Sequence, residues 1–253
     1  MNPGPKSQKP RVRLHVNVDH VATVRNARGT AYPCPAEASE VCMAAGADGI
    51  TAHLREDRRH IRDEDVRAIR RRIPGLLNLE MAATREMVAF AIAIKPHIVT
   101  LVPERREERT TEGGLDVAGG RESLRTAISE LTSAGIPVSL FIAPSPAQLH
   151  ASLAAGAVQV EFHTGEYANL TGDSRACELE IIRAACDEAR AAKLHVALGH
   201  GITLENIGPL AAIESVEEFN IGHALIADAI FLSLSGAVRA YRAAIEASRA
   251  EPQ

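Results

Sequence analysis

Histidines, carboxylates and asparagines recur at the ends of short apolar runs: Leu14-His15-Val16-Asn17-Val18-Asp19-His20, then Gly49-Ile50-Thr51-Ala52-His53-Leu54-Arg55, then Leu76-Leu77-Asn78-Leu79-Glu80. Charged residues are rarely fully buried, so ionisable groups repeated at the same end of successive strands imply one shared site that reaches solvent. Histidine serves as acid or base near neutrality, and a carboxylate becomes a base there when partial burial raises its pKa. Proton transfer at several points around one cavity is the chemistry these types suit. Further on, Glu161 and His163 close another apolar run, and Gly199-His200-Gly201 and Gly222-His223 follow two more. Glycine turns ahead of a helix present backbone N–H groups to a phosphate.

These endings need a scaffold that gathers them. Strands are expected at 12–19, 49–54, 76–81, 98–102, 137–142, 157–163, 194–199 and 217–222. Alanine- and arginine-rich stretches of helical period lie between them, near 35–46, 63–72, 84–94, 120–134, 146–155, 175–193 and 203–213, with a last helix near 232–249. This α/β alternation implies parallel βαβ units, and about eight of them match a closed (β/α)8 TIM barrel with extra helices. An open doubly wound sheet is the alternative, but it concentrates ligand contacts at one switch point. Polar endings on the first, second, third, sixth, seventh and eighth strands favour a ring.

Strand parity puts Asn17 with Asp19, His53 with Arg55, Asn78 with Glu80, and Glu161 with His163 on common faces toward the barrel mouth. His20 is expected at a turn. Residues 21–30 read as a long excursion whose two arginines, Arg25 and Arg28, suit a phosphate clamp. The segment Glu104 to Gly120 is charged and glycine-rich without apolar periodicity, and reads as a mobile lid carrying Thr110.

Composition bounds the class. With 253 residues and 46% hydrophobic content the chain can bury a large core, and residues 11–250 are expected to form one barrel domain behind a disordered tail at 1–10. That tail is polar and proline-rich, unlike a signal peptide or anchor. A net charge of −4 gives no support for nucleic-acid binding, and Arg67, Arg70, Arg71 and Arg72 beside Asp63, Glu64 and Asp65 read as a solvated helix face. No run approaches the ~20 apolar residues of a membrane helix, so no membrane association is expected. Cys34, Cys42, Cys177 and Cys186 lack CxxC spacing and fit a reducing, cytoplasmic setting.

The segments NVDHVATVRNARGTAYP (17–33), GADGITAHLREDRRHI (46–61), LNLEMA (77–82), LVPERREERTTEGGLDV (101–117), VEFHTGEYA (160–168), GHGIT (199–203) and FNIGHALIADAIF (219–231) closely resemble the pyridoxine 5′-phosphate synthase family. The resemblance spans the chain beyond its first ten residues; Cys34 stands where a more polar residue is expected. It implies a (β/α)8 barrel, assembled as a homo-octamer of dimers, that needs no cofactor or metal. It also implies condensation of 1-deoxy-D-xylulose 5-phosphate with 3-amino-2-oxopropyl phosphate to pyridoxine 5′-phosphate, phosphate and water. Residue by residue, it implies general bases at His53 and Glu80, a general acid at His200 and transition-state stabilisation by Glu161. The pentulose phosphate would meet Asp19, His20, Arg55, His60 and Thr110, and the aminoketone phosphate Asn17, Arg28, Gly201, Gly222 and His223.

Two other readings use the same residues. A metal-dependent barrel hydrolase could draw ligands from His53, Glu80, Glu161, His200 and His223, although no HxH or HExxH spacing is present. A non-catalytic phosphate-ligand sensor would need the arginines and glycine turns but has little use for several acid–base groups.

Overall fold

Runs rich in Val, Ile, Leu and Phe form eight short strands: β1 (Arg13–Asn17), β2 (Gly49–His53), β3 (Leu76–Met81), β4 (Ile98–Leu101), β5 (Val138–Ile142), β6 (Gln159–His163), β7 (His195–Gly199) and β8 (Glu218–Ile221). All pair in parallel in sequence order, and β8 returns to β1 with Asn220 opposite His15, so the sheet closes and the open-sheet alternative is excluded. This computed structural model describes residues 11–110, 113–120 and 122–250; the tail expected at 1–10 lies outside them.

Helices α1 (Asp19–Arg28), α2 (Pro35–Ala44), α3 (Asp63–Arg72), α4 (Arg85–Ile94), α5 (Glu122–Ser133), α6 (Pro146–Ala155), α7 (Gly165–Asn169), α8 (Gly172–Ala191), α9 (Ile207–Ala211), α10 (His223–Leu232) and α11 (Leu234–Ala250) surround the barrel. Residues such as Val16, Ile50, Leu77, Leu79, Val160 and Phe219 are fully buried between strands and helices. A short side-chain cap starts α4, where Thr84 accepts a hydrogen bond from Met87 N, and Ser145 accepts one from Gln148 N at the start of α6.

Four sequence expectations are corrected. The excursion at 21–30 is helical through Arg28: Asp19 complements the α1 N-terminus, Val21, Ala22 and Arg25 bury one face, and Gly29 closes the helix in the left-handed region. His20 therefore lies in the first turn of α1. The helix expected at 203–213 is only the five residues of α9, and the single C-terminal helix is two, α10 and α11, bent by 120°. Asp65 is not on a solvated face but buried against Arg25. No single described helix is long and apolar enough to cross a membrane.

The barrel interior is unusually polar. Such interiors are usually filled by branched apolar side chains, yet His15, Thr51, Asn78, Thr100, Ser139, Gln159, Glu161, Glu218 and Asn220 are all buried here. Thr100 Oγ1 donates to Asn78 Oδ1 (2.8 Å), Asn78 Nδ2 to Thr51 Oγ1 (3.4 Å), and Thr51 Oγ1 to Asn220 Oδ1 (2.7 Å). These four are satisfied by that chain of hydrogen bonds, as buried polar groups usually are, whereas the His15 ring nitrogens and Ser139 Oγ have no hydrogen-bond partner among the described residues.

Candidate active site

At the C-terminal ends of β1, β2 and β3 one network gathers four of the expected residues. Asn17 Oδ1 accepts from Asp19 N (2.8 Å), while Asn17 Nδ2 donates to Asp19 Oδ2 (3.0 Å) and reaches Glu80 Oε2 at 3.5 Å. Asp19 Oδ1 in turn accepts from His53 N at 2.8 Å. Parity delivers Asn17, His53 and Glu80 to the mouth, and the first turn of α1 delivers Asp19.

The electrostatics of this group suit proton transfer. Burial pushes the Glu80 carboxyl up to about 7; the neighbouring His53 opposes that rise and Asp19 adds to it. Burial pulls His53 down, but the hydrogen bond to Glu104 and the charges of Glu80 and Asp19 outweigh it, so its pKa ends above the ordinary imidazole value. Glu104, just after β4, carries His53 Nε2 on Oε1 (3.1 Å) and Glu56 N on Oε2 (3.0 Å). Burial raises Glu104, but these partners bring it below the usual carboxylate range, so it is an acceptor. His53 Nε2 must then carry the proton, leaving Nδ1 as its basic nitrogen.

Across the mouth, Glu161 is 2% exposed and its Oε2 accepts from Asn220 Nδ2 at 2.9 Å. Burial and the nearby Glu80 and Glu218 push its pKa well up. A Cβ on Gly199 would lie 1.9 Å from Glu161 Oε1, so only glycine lets β7 pass that carboxyl. His200 follows at φ 76° and Gly201 at φ 78°, a turn held where Thr164 Oγ1 donates to His200 O (2.6 Å). The rings of His163 and His200 stack 4.7 Å apart. Burial, His200 and Arg109 bring His163 down to about 4, and burial with Arg109 also lowers His200.

The remaining expected residues ring this centre. His20 and His223 meet edge to face at 4.9 Å, with Gly222 capping α10 and packed on Asn17. The His60 ring lies 5.9 Å from His53, and Arg55 Nε lies 3.5 Å from Asp57 Oδ1. Arg28 is exposed in the last turn of α1, and Arg25 is no phosphate clamp, because both its Nη atoms bind Asp65. Thr110 N donates to Gly114 O (2.8 Å), and Thr110 Oγ1 is buried without a hydrogen-bond partner among the described residues. The far end of the 104–120 segment is anchored by buried Leu115 and Val117, and Gly113 passes against the His163 ring.

Sequence reasoning missed Glu104, His163 as a stacking partner of His200, and Asn220. Glu104 obeys the rule applied elsewhere, since it is the first charged residue after the apolar run of β4. Among the described residues, Asp19, His53 and His60 bring ligand atoms within 4.8 Å of one another, the one grouping with metal-site spacing. In that group Asp19 accepts from Asn17 Nδ2 and His53 N, His60 Nδ1 accepts from Ile61 N (2.9 Å) and His53 Nε2 donates to Glu104, which leaves His53 Nδ1 and His60 Nε2 as the ring nitrogens open to a ligand.

Comparison with known proteins adds to this geometry. A family model described as "Pyridoxal phosphate biosynthesis protein PdxJ" matches residues 14–247. A pyridoxine 5′-phosphate synthase of Zymomonas mobilis is 51% identical over 241 residues, covering 95% of this chain and 94% of that protein. One from Photobacterium profundum is 54% identical, covering 90% of this chain and 94% of its own. Among solved structures, thiamine phosphate pyrophosphorylase from Pyrococcus furiosus aligns with a TM-score of 0.63 at 15% identity, covering 95% of this chain and 98% of that one. Tryptophan synthase from M. tuberculosis aligns at 0.63 with 12% identity, covering 93% and 94%. At such identities these two speak for the barrel alone.

Proposed function

The chain belongs to the family of the pyridoxal phosphate biosynthesis protein PdxJ, and from that premise we propose how its barrel mouth condenses 1-deoxy-D-xylulose 5-phosphate with 3-amino-2-oxopropyl phosphate into pyridoxine 5′-phosphate. An amine must add to a ketone to form an imine, carbon acids must lose protons, and phosphate and water must leave. The observation that carries the assignment of roles is the network of Asn17, Asp19, His53 and Glu80, in which burial pushes Glu80 up to about 7. In it Glu80 and His53 Nδ1 are the general bases. His200, lowered toward the neutral ring, is the acid on the opposite side once it has taken a proton from the substrate. Glu161 stabilises the cationic imine as it forms.

The pentulose phosphate lies against Asp19, His20, Arg55, His60 and Thr110. The aminoketone phosphate lies against Asn17, Arg28, Gly201, Gly222 and His223, with the N-terminus of α10 toward its charge. The unpartnered Thr110 Oγ1 supports a ligand contact there, and the 104–120 segment acts as the lid that keeps water from the imine. We assign assembly to a homo-octamer of dimers, supported by the exposure of Ile230 (77%) and Phe231 (86%) at the end of α10. Light scattering is expected to give eight times the 27.0 kDa chain mass; a monomer mass would refute that assembly. Four free thiols fit a cytoplasmic setting.

The test is turnover of the two substrates. His53→Ala is expected to lower kcat by about 10²- to 10³-fold while the pentulose phosphate still binds, since general-base catalysis is worth about that much. Unchanged product formation in His53→Ala would overturn the assignment, and binding of both phosphates without turnover by the unaltered protein would favour the sensor.

A further inference from the structure

We propose that Asn220 is a positioning residue whose amide holds Glu161 between two opposed influences, a hydrogen bond that favours its charged form and the charge of Glu218 that opposes it. The proposal rests on the reading of Glu161 as the group that stabilises the cationic imine.

The geometry is specific. Asn220 Nδ2 donates to Glu161 Oε2 at 2.9 Å and to Glu218 Oε1 at 3.2 Å, so one NH2 group bridges two buried carboxyl groups. Its Oδ1 accepts from Thr51 Oγ1 at 2.7 Å, which prevents the amide from flipping. Thr51 is oriented in its turn by Asn78, and Asn78 by Thr100. The ladder from β4 through β3 and β2 to β8 therefore points a fixed N–H at Glu161. None of these residues is more than 5% exposed, so the orientation is not averaged by water.

Glu218 supplies the opposing influence from the other end of the barrel. Burial pushes it up, but the His15 ring and the Arg13 guanidinium, whose Nε lies 2.9 Å from Oε2, bring it below the usual carboxylate range. The ionisable groups acting on Glu161 are thus Glu80 from β3 and Glu218 from β8. Its register partners on β5 and β7, Phe141 and Ala197, carry no charge, and His163 on its own strand is held neutral. A charge at the N-terminal end of the barrel is thereby felt at the mouth.

Two substitutions should move Glu161 in opposite directions, which a merely structural role would not do. Asn220→Leu removes the donor and is expected to raise the Glu161 pKa by about one pH unit, the worth of one charge-assisted hydrogen bond. Glu218→Gln removes a negative charge and is expected to lower it by a similar amount. The readout is the infrared band of a protonated carboxyl, followed against pH and assigned to Glu161 by its loss in Glu161→Gln. The acidic limb of kcat should shift with the band, costing Asn220→Leu about tenfold below that limb with KM unchanged. Thr51→Val, which only frees the amide, should give a smaller upward shift and serves if Asn220→Leu does not fold.

Shifts of the same sign in both variants, or a band that does not move, would overturn the role of Asn220. Full activity of Glu161→Gln would instead overturn the reading of Glu161, whatever the band does.

Discussion

Glu80→Gln is expected to lower kcat by about 10²- to 10⁴-fold, the range of general acid–base catalysis, and to remove the Glu80 step from the acidic limb of kcat, leaving that of Glu161. The carboxyl is buried at the end of β3, and burial pushes it up to about 7, with His53 lowering and Asp19 raising it. A base must be ionised to accept a proton, so below that value the working form is depleted and activity falls as pH falls. The substituted amide keeps the size of the side chain and can retain the contact to Asn17 Nδ2, which lies 3.5 Å from Glu80 Oε2. Loss of catalysis with an unchanged fold therefore isolates the proton transfer. A second signature follows from the pair: Glu80 is one of the charges holding His53 above its ordinary value, so removing it lowers the His53 pKa. Steady-state kinetics across pH, with the His53 ring followed by NMR, checks both. An unmoved limb in Glu80→Gln would remove Glu80 from the acid–base machinery.

How much of this was legible before the structure depends on which physical rule each residue obeys. Period-two alternation delivers Asn17, His53, Glu80 and Glu161 to one mouth, because a closed parallel barrel must send alternate side chains inward. The same alternation also carries Thr51, Asn78, Thr100 and Asn220 inward, but a single polar residue inside an apolar run gives no sign of its partner on a distant strand. Their hydrogen bonds exist only once β8 lies beside β1. Arg25 misled for the opposite reason. Its spacing in a polar stretch reads as a clamp, whereas the helical period that buries it is masked by the polar Thr23 and Arg28 on the exposed side. Asp65, forty positions later, was hidden in a run of acids that looked like a solvated face. Family resemblance supplied what no spacing contains, the identity of two phosphorylated substrates.

That Arg25–Asp65 pair carries the largest expected effect on stability. Arg25 Nη1 lies 2.6 Å from Asp65 Oδ1 and Nη2 2.8 Å from Oδ2, with the residues 5% and 6% exposed. Asp65 Oδ2 also accepts from Arg62 N (2.9 Å) at the start of α3. Asp65→Ala would strand a buried guanidinium and an uncapped helix start, and breaking one side of such a pair costs about 3–5 kcal/mol. For a domain of this size that is a fall in Tm of roughly 10 °C. The double variant Arg25→Met with Asp65→Leu removes both charges and should regain most of the loss, since apolar replacement of a whole buried pair is often neutral. Function should not recover with it. Arg25 Nη2 and Asn26 Nδ2 both donate to His60 O, at 3.1 and 3.0 Å, so the pair ties α1 to the loop that carries His60 beside His53. With Arg25 gone, half of that tie is lost, and KM for the pentulose phosphate should rise while Tm stays near the parent's. Thermal unfolding and substrate titration of the two variants separate these effects. A double variant as unstable as Asp65→Ala would mean that the fold needs the charges themselves, and an unchanged KM would mean that Asn26 alone positions His60.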